Sequence, residues 1–494
     1  MEKQAEYAKN LSELIVGEPS MKIEVLFTDS RKNVRNGMFF CVKGLVNDGH
    51  TYVDDAILNG AICVVHSDDL SFYAPNIHYI QVDNVLDTLN AAAASFYDYP
   101  SSKLEVFGVT GTNGKTTVSY LLKNILDKFK KSGYIGTISI QYDNKTIESL
   151  HTTPDVLELQ EVLADMVKAN VKAVAIEVSS HSLEQKRTQA LEIDYAIYTN
   201  LSHEHLDYHG TMENYLEAKL KLFTNLKDNQ KAIINIDDDH GQEILDQSTG
   251  INITYAINQP ADYRAINIEY FKSKTKFDLV INDNIYPVET NLVAKFNVYN
   301  LLAVIAALAE SGIDVNDIIE KVLNLVQVDG RVELVDLGQN MTVIVDYAHT
   351  PDGFEKIFNY AEEIKGDKRI IAVFGSAGER DIIKRTLLGE IADKYCDMII
   401  LTEDDPRNES VQAISNKIAE GISGNHIIIE NRYDAIYQAL ELANEKDIIL
   451  ILGKGNDQFM AREHGREFYL GDGEIAKKVI REYLLEQKEE NYYE

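Results

Sequence analysis

The sequence has only three cysteines, Cys41, Cys63 and Cys396, scattered through 494 residues. An odd, dispersed set excludes a disulfide framework and a four-cysteine zinc site, and it suits a reducing compartment. Long apolar runs are also missing: stretches such as "IILIL" (448–452) are far too short to cross a bilayer. The first residues, "MEKQAEYAKNLSEL", are polar and carry no apolar signal core. A soluble cytoplasmic protein without a membrane partner is expected. Cations are scarce too, since 48 Lys and Arg against 79 Asp and Glu leave a formal net charge of -31. That excludes nucleic acid as a main partner, because phosphate contacts need a basic surplus. Such acidity repels anionic substrates at long range, so any phosphate site must create its own positive field. Repeats and low-complexity tracts are absent.

What is present is a globular chain, 45% hydrophobic and long enough for two to four domains. Its most informative stretch is "GVTGTNGKTTVSY" (108–120). Before it, "LEVFGV" reads as a short buried strand. After it, Val118, Leu121, Leu122, Ile125, Leu126 and Phe129 recur at helical spacing. A loop between a strand and a helix N-terminus favours an anion, through free N–H groups and the helix dipole. Gly111 and Gly114 allow close backbone approach, Lys115 adds a point charge, and Thr116 offers a hydroxyl to Mg²⁺. The strict phosphate-loop spacing fails by one residue, because Val109 stands where its first glycine belongs. A nucleotide-triphosphate loop is still the better reading than a glycine-rich turn with an exposed lysine.

Downstream, one device recurs. Apolar runs end in polar groups at Glu177, at the cluster of His203, His205, Asp207 and His209, at Arg380 and Asp381, at Asp404, Asp405 and Arg407, and at Lys454 and Asp457. Polar groups at the carboxyl ends of parallel strands are where open α/β sheets bind ligands. The predicted architecture is α/β with three domains: a smaller N-terminal α/β domain (1–98), a central phosphate-loop domain with a mostly parallel sheet (99–330), and a C-terminal Rossmann-like domain (331–494). The terminal "LEQKEENYYE" reads as a frayed, charged tail. The three histidines also allow a zinc reading, but oxygen-rich neighbours favour Mg²⁺.

The motifs "TGTNGKTT", "HTTPD", "EVSSHSL", "NLSHEHLDYHG", "KFNVYN", "DGRVE" and "DYAHTPDG" occur in the order found in Mur ligases. The chain resembles that family from about residue 28 to 460, with the MurE type the best fit. The resemblance implies ATP-dependent amide formation in peptidoglycan synthesis. A diamino acid would be added to UDP-N-acetylmuramoyl-L-alanyl-D-glutamate through an acyl phosphate, by a monomer.

Residue by residue, the resemblance places ATP against Gly111, Thr112, Asn113, Gly114, Lys115, Thr116 and Thr117, with Asn297, Arg331 and Asp346 near base, phosphate and ribose. It implies two Mg²⁺ ions, one near Thr116 and Glu177, the other near Glu177, His205 and a carbamylated Lys219. Nothing local selects Lys219 over Lys221. Ser30 would meet the uridine diphosphate. Thr152, Thr153, Ser179, Gln185 and Arg187 would hold the muramoyl-peptide. Read locally, Asn297 is a candidate helix cap, and Arg331 a partner for Glu333. Lys384 and Arg385 stand where relatives read "KRP", with Thr386 in place of proline.

The amino-acid site would be Arg380, Asp404, Asp405, Pro406, Arg407, Gly453 and Asp457. Arg407 favours meso-diaminopimelate, whose distal carboxylate a guanidinium binds in two-pronged fashion. L-Lysine is the other candidate. Asp405 stands where diaminopimelate-adding relatives have Asn, and its extra carboxylate suits an ammonium-only substrate; Asp457, one methylene shorter, stands where they have Glu. Locally, Arg407 reads as a partner for Glu409. Two alternatives are a folylpolyglutamate-synthase-like ligase and a non-ligase nucleotide-binding subunit. The "TDSR" block argues against the first, and a missing cysteine cluster against the amidotransferase-associated form of the second.

Overall fold

A computed structural model describes residues 2–44, 47–271, 273–325 and 328–493. Three separate α/β sheets are arranged along the chain. The first has four parallel strands, Val25–Phe27, Gly37–Phe40, Ala61–His66 and His78–Gln81, in that spatial order. The helix Val85–Phe96 starts where the Asn84 side chain accepts the N–H groups of Leu86 and Asp87. It buries Leu89, Ala92, Ala93 and Phe96 together with Val156 and Ala164 of the central helix Val156–Lys168. That shared apolar patch fastens the first sheet to the second.

The central sheet has eleven strands, seven of them a continuous parallel block. Strand Glu105–Thr110 lies in its middle, between Ala173–Glu177 and Tyr195–Tyr198. Its Val106, Phe107 and Val109 are fully buried because helices cover both faces. Helices Lys115–Leu126 and Lys295–Glu310 pack on one face; Val156–Lys168 and Met212–Thr224 pack on the other. After strand 105–110 the chain adds strands to one side, and later to the other. The phosphate loop thus leaves at a topological switch point, where such sheets open a crevice. Helix 115–126 ends before Phe129, which is exposed rather than part of the apolar stripe.

The third sheet runs Glu333–Val335, Thr342–Asp346, Ile448–Leu452, Ile370–Phe374, Met398–Leu401 and His426–Ile428, with only the first strand antiparallel. All five polar runs expected at strand ends follow the carboxyl ends of parallel strands of the second or third sheet. Residues 485–493 of the expected frayed tail are instead backbone-helical, within Asp472–Tyr493, and Glu494 lies outside the described residues. Its apolar Ile475, Ala476, Val479 and Ile480 seat that helix on the third sheet. Among the described residues, no helix is long and apolar enough to cross a membrane.

Candidate active site

The phosphate loop is held open by its glycines. Gly111 has φ 149 and Gly114 φ 90; a Cβ on Gly111 would lie 1.9 Å from Thr199 Oγ1, and one on Gly114 2.5 Å from Asn300 Oδ1. Lys115 Nζ donates to the carbonyls of Gly111 (3.0 Å) and Thr112 (2.8 Å). Burial lowers its pKa, while Glu204 and Glu177 pull the other way. Thr112 and Thr117 are buried within the loop and the following helix turn. Asn113 Nδ2 donates to Asp352 Oδ2 at 2.7 Å, a bond from the second sheet's loop to the third unit's helix Pro351–Lys365. The same carboxylate accepts from Ser202 (3.2 Å) and Lys356 (2.6 Å).

Glu177 is fully buried at the end of its strand, yet it gathers four donors. Thr116 Oγ1 (2.8 Å) and Thr137 Oγ1 (3.0 Å) bond Oε2; Tyr134 Oη (2.5 Å) and the Thr137 N–H (2.9 Å) bond Oε1. The Glu177 carbonyl accepts from Thr153 Oγ1 at 2.7 Å, and Thr137 Oγ1 lies 3.2 Å from Thr152 Oγ1. Thr153 lies 3.4 Å from Ser179 Oγ, its carbonyl accepts from Arg187 (2.8 Å), and Arg187 bonds Gln185 Oε1 (2.7 Å). The five residues expected at the muramoyl-peptide thus cluster beside Glu177. Ser30 is buried at the end of the first sheet's edge strand.

Helix Met212–Thr224 settles which lysine faces inward. Tyr215 and Lys219, four residues apart, share the buried face, with Lys219 Nζ 4.3 Å from the Tyr215 ring centroid. Among the described residues Lys219 makes no hydrogen bond or ion pair, and burial pushes its pKa well down. Lys221 points outward and pairs with Glu184. His205 sits at φ 56, its ring edge-on to His181 and Tyr215. Burial lowers its pKa to about 4, which keeps the imidazole neutral at pH 7. His209 Nε2 is 3.0 Å from Ser180 Oγ. Among the described residues, the three histidines do not bring ligand atoms together as a zinc site requires.

Two cavities open beside this cluster. The larger, about 780 Å³, is lined by Asn113, Gly114 and Thr117 with Asn297, Arg331 and Asp346. Asn297 is not the cap of its helix, since Ala294 holds that position. Arg331 lies over the Tyr347 ring at 4.4 Å, while Glu333 pairs with Lys477. The smaller, about 330 Å³, is lined by His205, Arg380, Asp404, Asp405, Gly453 and Asp457 among others. Pro406 and Arg407 follow Asp405 directly in the chain but are not among the residues lining this cavity. Arg407 donates to the Gly378 carbonyl at 2.8 Å, and Glu409 pairs with Arg385 instead of Arg407. Lys384 lines the smaller cavity and donates to the His349 carbonyl at 3.1 Å. Tyr347 and His349 wall both cavities.

A Mur ligase middle-domain model matches residues 109–308, and a Mur ligase glutamate ligase domain model matches 330–455. UDP-N-acetylmuramoyl-L-alanyl-D-glutamate–2,6-diaminopimelate ligase 1 of Clostridium acetobutylicum is 39% identical over 482 residues, 96% of this chain and 97% of that protein. The chain belongs to the Mur ligase family. A Clostridium botulinum Mur ligase of the same name, without the numeral, is 38% identical over 96% of this chain and 98% of its own length. A solved structure titled as a UDP-N-acetylmuramoyl-L-alanyl-D-glutamate–2,6-diaminopimelate ligase superposes with a TM-score of 0.70 at 29% identity, covering 96% of this chain and 99% of that one. Enzymes of the Mur ligase family are ATP-dependent.

The donors of this Mur ligase fit magnesium. A buried carboxylate ringed by Thr116, Thr137 and Tyr134 hydroxyls is a hard oxygen set, and neutral His205 has a lone pair to give. Sequence reasoning passed over Glu204. Its Oε1 lies 3.2 Å from His349 Nε2, and Oε2 3.6 Å from His205 Nε2. Burial alone would raise its pKa, but the His349 hydrogen bond and nearby His205 and Lys115 hold it well below the usual range. The available signal was a carboxylate flanked by two histidines. Tyr134, Thr137 and His349 carried no comparable mark.

Proposed function

We propose that this Mur ligase joins 2,6-diaminopimelate to the terminal carboxylate of UDP-N-acetylmuramoyl-L-alanyl-D-glutamate, converting ATP to ADP and phosphate. The observation that carries the reading is the wall of Tyr347 and His349 shared by the phosphate-loop cleft and the acidic cavity. A reaction that activates a carboxylate on one side and receives an amine on the other needs that adjacency.

The substrate carboxylate attacks the γ-phosphorus, ADP leaves, and an acyl phosphate forms. The amine attacks the acyl carbon, phosphate leaves with the C–O electron pair, and the new amide nitrogen loses a proton. In this reading Gly111, Thr112, Asn113, Gly114, Lys115 and Thr117 cradle the triphosphate, with Lys115 swinging from its loop carbonyls to the transferred group. Asn297, Arg331 and Asp346 hold the nucleoside end. Thr152, Thr153, Ser179, Gln185 and Arg187 hold the muramoyl-peptide, and Ser30 the uridine diphosphate. Arg380, Asp404, Asp405, Gly453 and Asp457 receive the diamino acid, together with Pro406 and Arg407, which follow Asp405 in the same loop.

Thr116 and Glu177 would hold one magnesium ion; Glu177, His205 and a carbamylated Lys219 would hold a second. Bound magnesium offsets the crowded phosphate charge. A buried lysine of depressed pKa supplies the neutral amine that carbon dioxide captures, which supports carbamylation. The domain limits we favour are 1–98, 99–330 and 331–494, in a cytoplasmic monomer.

The deciding experiment incubates purified protein with ATP, Mg²⁺, the UDP-dipeptide and a panel of amino acids, with product mass and phosphate as readouts. One phosphate per diaminopimelate adduct is expected. Phosphate released without acceptor or amino acid would overturn the ligase reading and favour a nucleotide switch.

A further inference from the structure

A buried lysine lies in the wall of the smaller cavity with no role assigned above. Lys454 follows strand Ile448–Leu452, and its ammonium is gripped by two carboxylates, Asp405 Oδ1 and Asp457 Oδ2, each at 2.9 Å. Asp405 Oδ1 also accepts the Ala461 N–H at 2.8 Å. Asp405 follows a different strand, Met398–Leu401, and holds φ 43, so its loop is turned sharply toward Lys454. All three residues line the cavity. Neighbouring Asp404 lines it too, and no other described side chain bonds its carboxyl.

The charge balance is simple. One ammonium against two carboxylates leaves one net negative charge, and each carboxylate keeps one oxygen outside the clamp. Without Lys454, two like charges would face each other, with only the Ala461 N–H left to orient Asp405 and no described side chain to orient Asp457. Charge-assisted bonds fix the carboxylates as neutral ones would not.

Resting on the ligase reading above, we propose that Lys454 is a positioning residue that determines amino-acid specificity. It aims the free oxygens of Asp405 and Asp457 at the distal ammonium of the diamino acid. It also limits the negative charge there, so that a distal carboxylate is tolerated. Diaminopimelate carries both distal groups, whereas lysine carries the ammonium alone.

The test is steady-state kinetics of the full chain with ATP, Mg²⁺, the UDP-dipeptide, and either meso-diaminopimelate or L-lysine, using Ki where one is not turned over. Lys454→Met is expected to raise KM for diaminopimelate about tenfold while leaving KM for ATP and UDP-dipeptide within about twofold. The preference for diaminopimelate over lysine falls, and Lys454→Arg restores it. Asp405→Asn, which makes the clamp neutral, shifts the preference the opposite way. Equal rises in all three KM values in folded Lys454→Met, or the same direction of shift in both variants, would overturn the proposal. If Lys454→Met does not fold, Asp405→Asn decides alone, and an unchanged or reduced preference for diaminopimelate sinks the idea. Failure of the ligase reading itself is distinct, because wild-type protein would then form no adduct.

Discussion

Glu409 pairs with Arg385, 24 residues away, and not with Arg407, its neighbour two positions back. Two guanidinium nitrogens reach the carboxylate at 2.8 and 2.9 Å, and the Arg385 side chain is almost fully buried. The local reading of Arg407 as a partner for Glu409 therefore fails, and among the described residues Arg407 spends only one guanidinium nitrogen, on the Gly378 carbonyl.

The pairing predicts a pH signature. The Arg385 hydrogen bonds, then the Glu379 N–H, hold the Glu409 carboxyl down to about 2, from an ordinary 4.5. A carboxylate with a depressed folded pKa adds stability that is fully present above the unfolded value and lost as pH falls through the folded one. Glu409→Gln should lower Tm at pH 7, and its difference from wild type should shrink as pH drops from 4.5 towards 2. Thermal melts across that window check it; a constant difference would count against the pair.

Arg407→Ala should reduce kcat/KM for diaminopimelate by about tenfold more than for lysine, since only the former offers a carboxylate to a guanidinium. Side-by-side kinetics with both amino acids read this directly. Equal losses would remove Arg407 from distal recognition.

Lys115→Ala should cut kcat by about a thousandfold or more, because it deletes charge from the transferring phosphoryl group. Coupled ADP release measures the loss, and a melting curve confirms the fold. Turnover at the wild-type rate would end the phosphate-loop assignment.

Lys219→Arg should abolish ligation, because a guanidinium cannot form the carbamate, while Lys221→Ala should change kcat less than about twofold, as expected of an exposed ion pair. Carbon-13 NMR with labelled bicarbonate should show a carbamate signal in wild type that Lys219→Arg lacks. A signal surviving in that variant would move the modification elsewhere.

The sequence made the strand ends legible, because apolar runs ending in polar residues have one common meaning in parallel sheets. The phosphate loop was readable despite Val109, since its glycines, lysine and flanking periods agreed. The inward turn of Lys219 was not: on a helix already rich in lysine, only the packing of Tyr215 chooses a face. Glu204 was hidden for a related reason. Its meaning comes from His349, on a loop of another sheet, and no local spacing encodes that approach. The terminal helix escaped because its charged surface masks the four residues that seat it.

The bond from Asn113 to Asp352 ties the loop expected to wrap ATP to the first turn of a helix in the neighbouring sheet's territory. A triphosphate bound as proposed in that loop would bring its charge toward that same carboxylate. Fuel arriving at one compartment would thereby be felt as a tug in the other. A small molecule wedged at this joint would jam the machine without resembling any of its three substrates.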